Sequence, residues 1–222
     1  MTQIPFDFAH RPALNGEDFL VAPSNEEAVK WVELWPNWPQ PVLVIVGPKG
    51  AGKSHLANVF LAQSRAFVLT PEHLQSSDAD AVLAGQTAVV VEDVQDFLDA
   101  GLEEDLLHLY NLAVEDQKKI LITAEAAPAR WAITLKDLSS RLNTATVAEI
   151  MPPDDALLTA LIVKQFSDLQ VNVSQEVLAY MLLRMDRSFQ GVGELIRAID
   201  TLSLAEKRAI TKPLVRRVLE HS

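Results

Sequence analysis

Gly47, Gly52, Lys53 and Ser54 stand at the spacing G-x-x-x-x-G-K-S within Pro41–Ser54, PVLVIVGPKGAGKS. Residues of these types at this spacing build a cradle for phosphate. The glycines let backbone N–H groups turn inward onto phosphate oxygens. A helix starting there, HLANVFLAQ, aims the positive end of its dipole at the same anion. Lys53 then reaches the β and γ phosphates, and the Ser54 hydroxyl ligates Mg²⁺. Gly47, Pro48, Lys49, Gly50, Ala51, Gly52, Lys53, Ser54 and His55 are therefore the candidate nucleotide-binding residues. The apolar run Val42–Val46 supplies the strand, and the following residues the helix, that this motif requires around it.

Two further strand ends carry chemistry. Ala88–Val91 reads as a buried strand that ends in Glu92-Asp93. A carboxylate at such a strand end, downstream of a phosphate loop, holds Mg²⁺, the Walker B arrangement. Glu92 is the candidate metal ligand and Asp93 the candidate catalytic base. Lys119–Thr123, KILIT, is a strand with a polar end. Thr123 there either senses the γ-phosphate region or simply caps the strand.

The elements that must position these residues alternate. Strands are expected at 42–46, 66–69, 88–91, 119–123 and 146–150, with helices between them, which specifies a five-stranded parallel sheet covered on both faces. Its ligand belongs at the carboxyl ends of the strands. Ahead of the sheet, Ser24 and Glu27 form a capping box for a helix with apolar Ala28, Val29, Trp31, Val32 and Trp35. Trp35 and Trp38 in WPNWPQP could stack on bases, but core or loop packing fits their proline-rich, acidic setting better. PEHLQSSDADAVLAGQ is a polar, partly helical connection, and Leu102, Leu106, Leu109, Ala113 and Val114 mark a helical stripe. From Asp154 no strand signal remains. Apolar spacing marks three helices, the third through Leu195, Ile196, Ile199, Leu202 and Leu204, and KPLVRRVLEHS adds a fourth with Pro213 in its first turn.

The 222 residues suffice for one ordinary domain and a small appendage, and the 49% hydrophobic content supplies a core. A net charge of −11 argues against strong direct DNA binding, since a general nucleic-acid binder carries a basic surface. Without cysteine there is neither a disulfide frame nor thiol chemistry. MTQIPFDFAH is not a signal peptide, and no apolar run approaches the length of about eighteen residues that reads as a membrane span. A cytoplasmic protein without membrane attachment is expected.

A phosphate-loop domain followed by a helical lid resembles the AAA+ ATPase class. FLVAPSNEEAV before the first strand resembles the adenine-surrounding segment of the bacterial replication initiator DnaA. GPKGAGKSHLANVF, VVVEDVQDF, ILITAEAAPARW and LKDLSSRL follow in that family's order. The chain lacks a counterpart of the initiator's C-terminal helix-turn-helix and N-terminal domains, and in this it resembles the Hda family of DnaA-homologous regulatory inactivators. Domains are expected at 1–18 (a clamp-binding segment), 19–151 (the AAA+ nucleotide-binding α/β domain) and 152–222 (the all-α lid).

That resemblance carries expectations of its own. QIPFDF fits the family's motif for the DNA sliding clamp, the DNA polymerase III beta subunit, through Gln3, Ile4, Phe6 and Phe8. Arg141 in LSSRL falls where the family presents an arginine finger to a neighbouring subunit's nucleotide. The implied function is hydrolysis of DnaA-bound ATP, and so suppression of re-initiation, by a protein that itself holds ADP or ATP with Mg²⁺. Two features depart from the pattern. Walker B usually places Asp first, whereas here Glu92 precedes Asp93, which puts intrinsic ATPase activity in doubt. The lid's sensor arginine falls at Gly193, so Arg197, four residues on and on the same helical face, or Arg187 is expected to replace it. Alternatives from other classes are a self-contained ATPase of the helicase-loader or DNA-remodelling type, and a nucleotide-binding clamp tether without a hydrolytic role. Oligomeric state stays open, a homo-oligomer included.

Overall fold

The computed structural model describes residues 12–13, 16–76 and 79–220. They form two compact units, which meet in sequence between Met151 and Pro152. The first is built on a five-stranded sheet, every pair parallel: β3 (Val42–Val46), β4 (Phe67–Leu69), β5 (Ala88–Val91), β6 (Lys119–Ala124) and β7 (Thr146–Glu149), in the spatial order β4-β5-β6-β3-β7. A small antiparallel hairpin, β1 (Pro12–Ala13) and β2 (Gly16–Leu20), precedes it. The apolar periodicity of the sequence does not announce this hairpin.

Every residue of β3 is buried. That follows from VLVIV lying centrally, between β6 and β7, with both faces covered. On one face Leu43 and Ile45 pack under α1 (Glu26–Glu33) and α2 (Lys53–Ser64), against Val29, Val32, Leu56 and Phe60. On the other, Val42, Val44 and Val46 share a core with Phe97 of α5 (Val94–Asp99), Leu106 and Leu109 of α6 (Glu103–Glu115), and Leu138 and Leu142 of α7 (Lys136–Leu142). Burying each such side chain contributes roughly 1.5–3 kcal/mol. The polar connection after β4 holds two short helices, α3 (Pro71–Ser76) and α4 (Ala79–Leu83).

The capping box expected at Ser24 and Glu27 does not form. Asn25 is the N-cap residue of α1, and the Ser24 hydroxyl is buried without a hydrogen-bond partner. The reason is a competing bond set: buried Asn25 accepts the Ala22 N–H at its Oδ1 (2.8 Å) and donates from its Nδ2 to the Leu20 carbonyl (2.9 Å). Those bonds fix the incoming chain and set the helix start one residue later. Val114, placed in the apolar stripe of α6, is 47% exposed, and buried Tyr110 takes that side of the helix. Trp38 is buried, stacks on Phe60 with ring centroids 5.2 Å apart, and donates from Nε1 to the Trp31 carbonyl (2.6 Å), so it packs in the core.

The second unit is helical: α8 (Asp155–Asp168), α9 (Gln175–Leu182), α10 (Phe189–Glu206) and α11 (Lys212–Leu219). Side chains of Asp154, Ser174 and Ser188 cap the first three by accepting backbone N–H bonds, and Pro213 sits in the first turn of α11. Leu195, Ile196 and Ile199 are buried as the periodicity requires, but Leu204, near the C-terminal end of α10, is 69% exposed.

Candidate functional site

The turn from β3 into α2 makes the phosphate cradle. Gly50 (φ +73°) and Gly52 (φ +100°) both lie in the left-handed region, which a side chain would resist. Gly52 is the N-cap residue of α2, so the first N–H groups of that helix open onto the loop. Gly47 has a different requirement, space. A Cβ there would lie 2.6 Å from the Ile150 carbonyl oxygen and 3.3 Å from the Ile150 Cβ. Ile150 cannot retreat, because its N–H donates to the Val46 carbonyl (2.7 Å). Gly47→Ala is expected to cost about 1–3 kcal/mol, the usual penalty for overpacking a tight site, read as a lower urea midpoint.

Pro48 and Lys49 are exposed at the loop's rim, Ala51 is buried beneath it, and Ser54 and His55 are exposed in the first turn of α2. Lys53 folds back and donates to the carbonyls of Gly47 (2.8 Å) and Pro48 (3.1 Å). Burial pushes its ammonium below the ordinary lysine value, while the Glu125 and Asp93 carboxylates oppose that shift. A phosphate over the loop would add counter-charge to that of the two carboxylates and offset the burial of this cation.

Glu92 is half-buried at the end of β5, and Asp93 follows it exposed. Asp93 has φ +48° and ψ +75°, and it is the N-cap residue of α5. Aspartate tolerates this region better than most residues, at some cost in strain. Thr123 holds the turn in place: its buried hydroxyl accepts the Asp93 N–H at 2.9 Å. The hydroxyl still carries a proton to donate. Thr123, Asp93 and, through electrostatics, Lys53 are thus one connected set.

Ser54, Glu92 and Asp93 offer hard oxygen donors, the type Mg²⁺ takes. Among the described residues no group of three or more His, Cys, Asp or Glu side chains could hold a metal by itself.

Sequence reasoning passed over Glu125. It immediately follows β6, as Glu92 follows β5, and that parallel was the available signal. With Glu27, Arg130 and Glu149 it lines a cleft of about 340 Å³ at the carboxyl ends of β3, β6 and β7.

Arg141 lies in the last turn of α7, 38% exposed, away from this cluster in sequence. Its Nε is 3.2 Å from the Asp137 carboxylate, without hydrogen-bond alignment, and its Cζ lies 5.5 Å from the centroid of the Tyr110 ring. In the helical unit, Arg197 is exposed and donates from Nε to the Gly193 carbonyl (3.1 Å). Its Nη2 would be 3.9 Å from a Cβ at 193, so the guanidinium lies beside the space a longer residue 193 would start from. Arg187 pairs with Asp155. Gln3, Ile4, Phe6 and Phe8 lie outside the described residues.

Known proteins agree with this architecture. Residues 154–219 match the family model described as Hda, lid domain. A protein of Haemophilus influenzae named only as uncharacterized is 26% identical over 191 residues, covering 81% of this chain and 82% of that one. The chromosomal replication initiator DnaA of Caulobacter sp. is 27% identical over 239 residues, covering 90% of this chain and 48% of its own. The chain therefore spans about half the length of the DnaA relatives it matches. Domain III of Thermotoga maritima DnaA has the same fold, with a TM-score of 0.78 at 20% identity over 96% of this chain and 98% of that one. AMPPCP-bound DnaA from Aquifex aeolicus superposes with a TM-score of 0.70 at 20% identity, over 86% and 66% of the two chains. The helical unit thus matches the Hda lid-domain family, and the chain as a whole is similar in sequence to DnaA and shares the fold of DnaA domain III.

Proposed function

We propose that this chain regulates the initiation of chromosome replication by promoting hydrolysis of ATP bound to DnaA, while docked on the DNA sliding clamp. Arg141 is the group that acts in trans. The observation that carries this reading is its setting: a partly exposed arginine side chain at the end of a short helix, beside one carboxylate and one aromatic ring of its own chain, with its Nε making no hydrogen bond. A guanidinium so placed keeps N–H donors available to another subunit's phosphates, where it stabilises transition-state charge.

The chain's own nucleotide, ADP or ATP, lies on the Gly47–His55 loop, with Lys53 on its phosphates. Ser54 and Glu92 would hold Mg²⁺, which when bound neutralises phosphate charge. Asp93 is the base and Thr123 the sensor that fixes it. Arg197 supplies the lid's cation in place of the residue missing at Gly193. Gln3, Ile4, Phe6 and Phe8 dock as an extended peptide in the clamp's groove. A cytoplasmic location follows from these partners.

The test is hydrolysis of radiolabelled ATP preloaded on DnaA, with and without clamp loaded on DNA. The wild-type chain is expected to accelerate hydrolysis when the clamp is present, and Gln3→Ala to lose most of that acceleration. No acceleration by wild type with the clamp confirmed on DNA overturns the reading. Turnover by the chain alone, stimulated by DNA, would instead identify a self-contained ATPase.

A further inference from the structure

The helix that carries Arg141 is seven residues long, too short to stand without tertiary support. Its N-cap residue, Leu135, makes no side-chain capping bond. The cap comes from another helix. The Glu103 carboxylate, in the first turn of α6, accepts the Thr134 N–H (3.0 Å), the Thr134 hydroxyl (2.9 Å) and the Leu135 N–H (2.7 Å). These bonds hold its carboxyl below the ordinary glutamate value.

Farther along α6, Tyr110 lies under the Arg141 guanidinium. Leu135 and Arg141 are six residues apart on α7, and Glu103 and Tyr110 seven apart on α6. At the rise of a helix these intervals are roughly 9 and 10.5 Å along the axis. The two helices are therefore pinned to each other at two points of matching separation, and Arg141 sits on the second. Asp137, one turn before Arg141, flanks the same guanidinium from α7 itself.

We propose that Glu103 and Tyr110 are positioning residues for Arg141: Glu103 sets the axial register of α7, and the face of Tyr110 sets the direction of the guanidinium. This rests on the reading of Arg141 as a finger. Arginine has many rotamers, and a finger that must search for its phosphate surrenders most of its effect. Misplacement by about 1 Å can cost roughly 100-fold in rate. A planar cation resting on a ring keeps its fork in one orientation while leaving its donors available.

The experiment titrates the full chain into ATP-loaded DnaA with clamp on DNA, and reads the maximal hydrolysis rate and the half-saturating concentration separately. Tyr110→Leu and Glu103→Ala are each expected to lower the maximum about ten-fold and to leave the half-saturating concentration unchanged. Tyr110→Phe, which keeps the ring face, is expected to behave as wild type. Combined with Arg141→Ala, neither Tyr110→Leu nor Glu103→Ala should lower the rate further, because there is no finger left to position. Wild-type maxima in Tyr110→Leu and Glu103→Ala, beside an inactive Arg141→Ala, would overturn the proposal and leave the finger standing. A raised half-saturating concentration with an unchanged maximum would make them docking residues, which also overturns it. Full activity of Arg141→Ala would instead remove the underlying reading. Should Tyr110→Leu fail to fold, the Glu103→Ala cycle against Arg141→Ala decides alone.

Discussion

Arg141→Ala is expected to abolish the acceleration of DnaA-bound ATP hydrolysis, a loss of about three orders of magnitude, the lower end of what an arginine finger supplies. The chain itself should be almost unaffected. Arg141 contributes an imperfectly aligned contact to Asp137 and a cation–π contact to Tyr110, and partly exposed interactions of this kind are worth at most about 1 kcal/mol each. The buried anchors of α7, Leu138 and Leu142, are untouched. Single-turnover hydrolysis on DnaA, a thermal melt and the chain's own nucleotide affinity would together separate catalysis from folding. Arg141→Lys keeps the charge but loses the planar fork, so it should recover only part of the rate. An Arg141→Ala chain that still accelerates hydrolysis would end the finger model.

Lys53→Ala is the second large effect, acting on the chain's own nucleotide rather than its partner's. ATP and ADP should bind about 100-fold or more weakly, since a charge-assisted contact to phosphate is lost from a partly desolvated site. Without nucleotide, stability should barely change. The substitution removes bonds to the Gly47 and Pro48 carbonyls, but it also removes the cost of burying an ammonium group. At a ligand concentration of 100 Kd, nucleotide stabilises the wild-type chain by about 2.7 kcal/mol, and this increment should nearly vanish in the variant. Calorimetric titration and melts with and without ADP would read both. Unchanged affinity would mean the phosphates lie elsewhere.

What the sequence disclosed, and what it hid, follows from the range of the interactions. The central strands were legible because buried parallel strands are nearly continuous apolar runs, as in Val42–Val46 and Ala88–Val91. The phosphate loop was legible because its chemistry is contiguous. The capping box failed because its signal is local, whereas Asn25 is claimed by two backbone groups of the incoming segment. Glu103 was invisible for the opposite reason: its partners, Thr134 and Leu135, lie about thirty residues away and leave no periodic trace. The link from Thr123 to Asp93 spans a similar interval. Pairwise bonds between elements orient the candidate site, and periodicity reports only the elements.

The packing around α2 has an optical consequence. Phe60, in its third turn, stacks on Trp38 and meets Trp35 edge-on at 6.0 Å, and the Trp38 indole is tied to the Trp31 carbonyl. Three of the chain's four tryptophans therefore belong to α1 and the segment that joins it to β3. The same α2 begins at Lys53. Any tilt of that helix on loading the loop changes the surroundings of those indoles at its far end. Intrinsic emission, excited near 295 nm without any dye, should shift in intensity or wavelength as ADP is titrated, giving the protein a built-in gauge of its own occupancy.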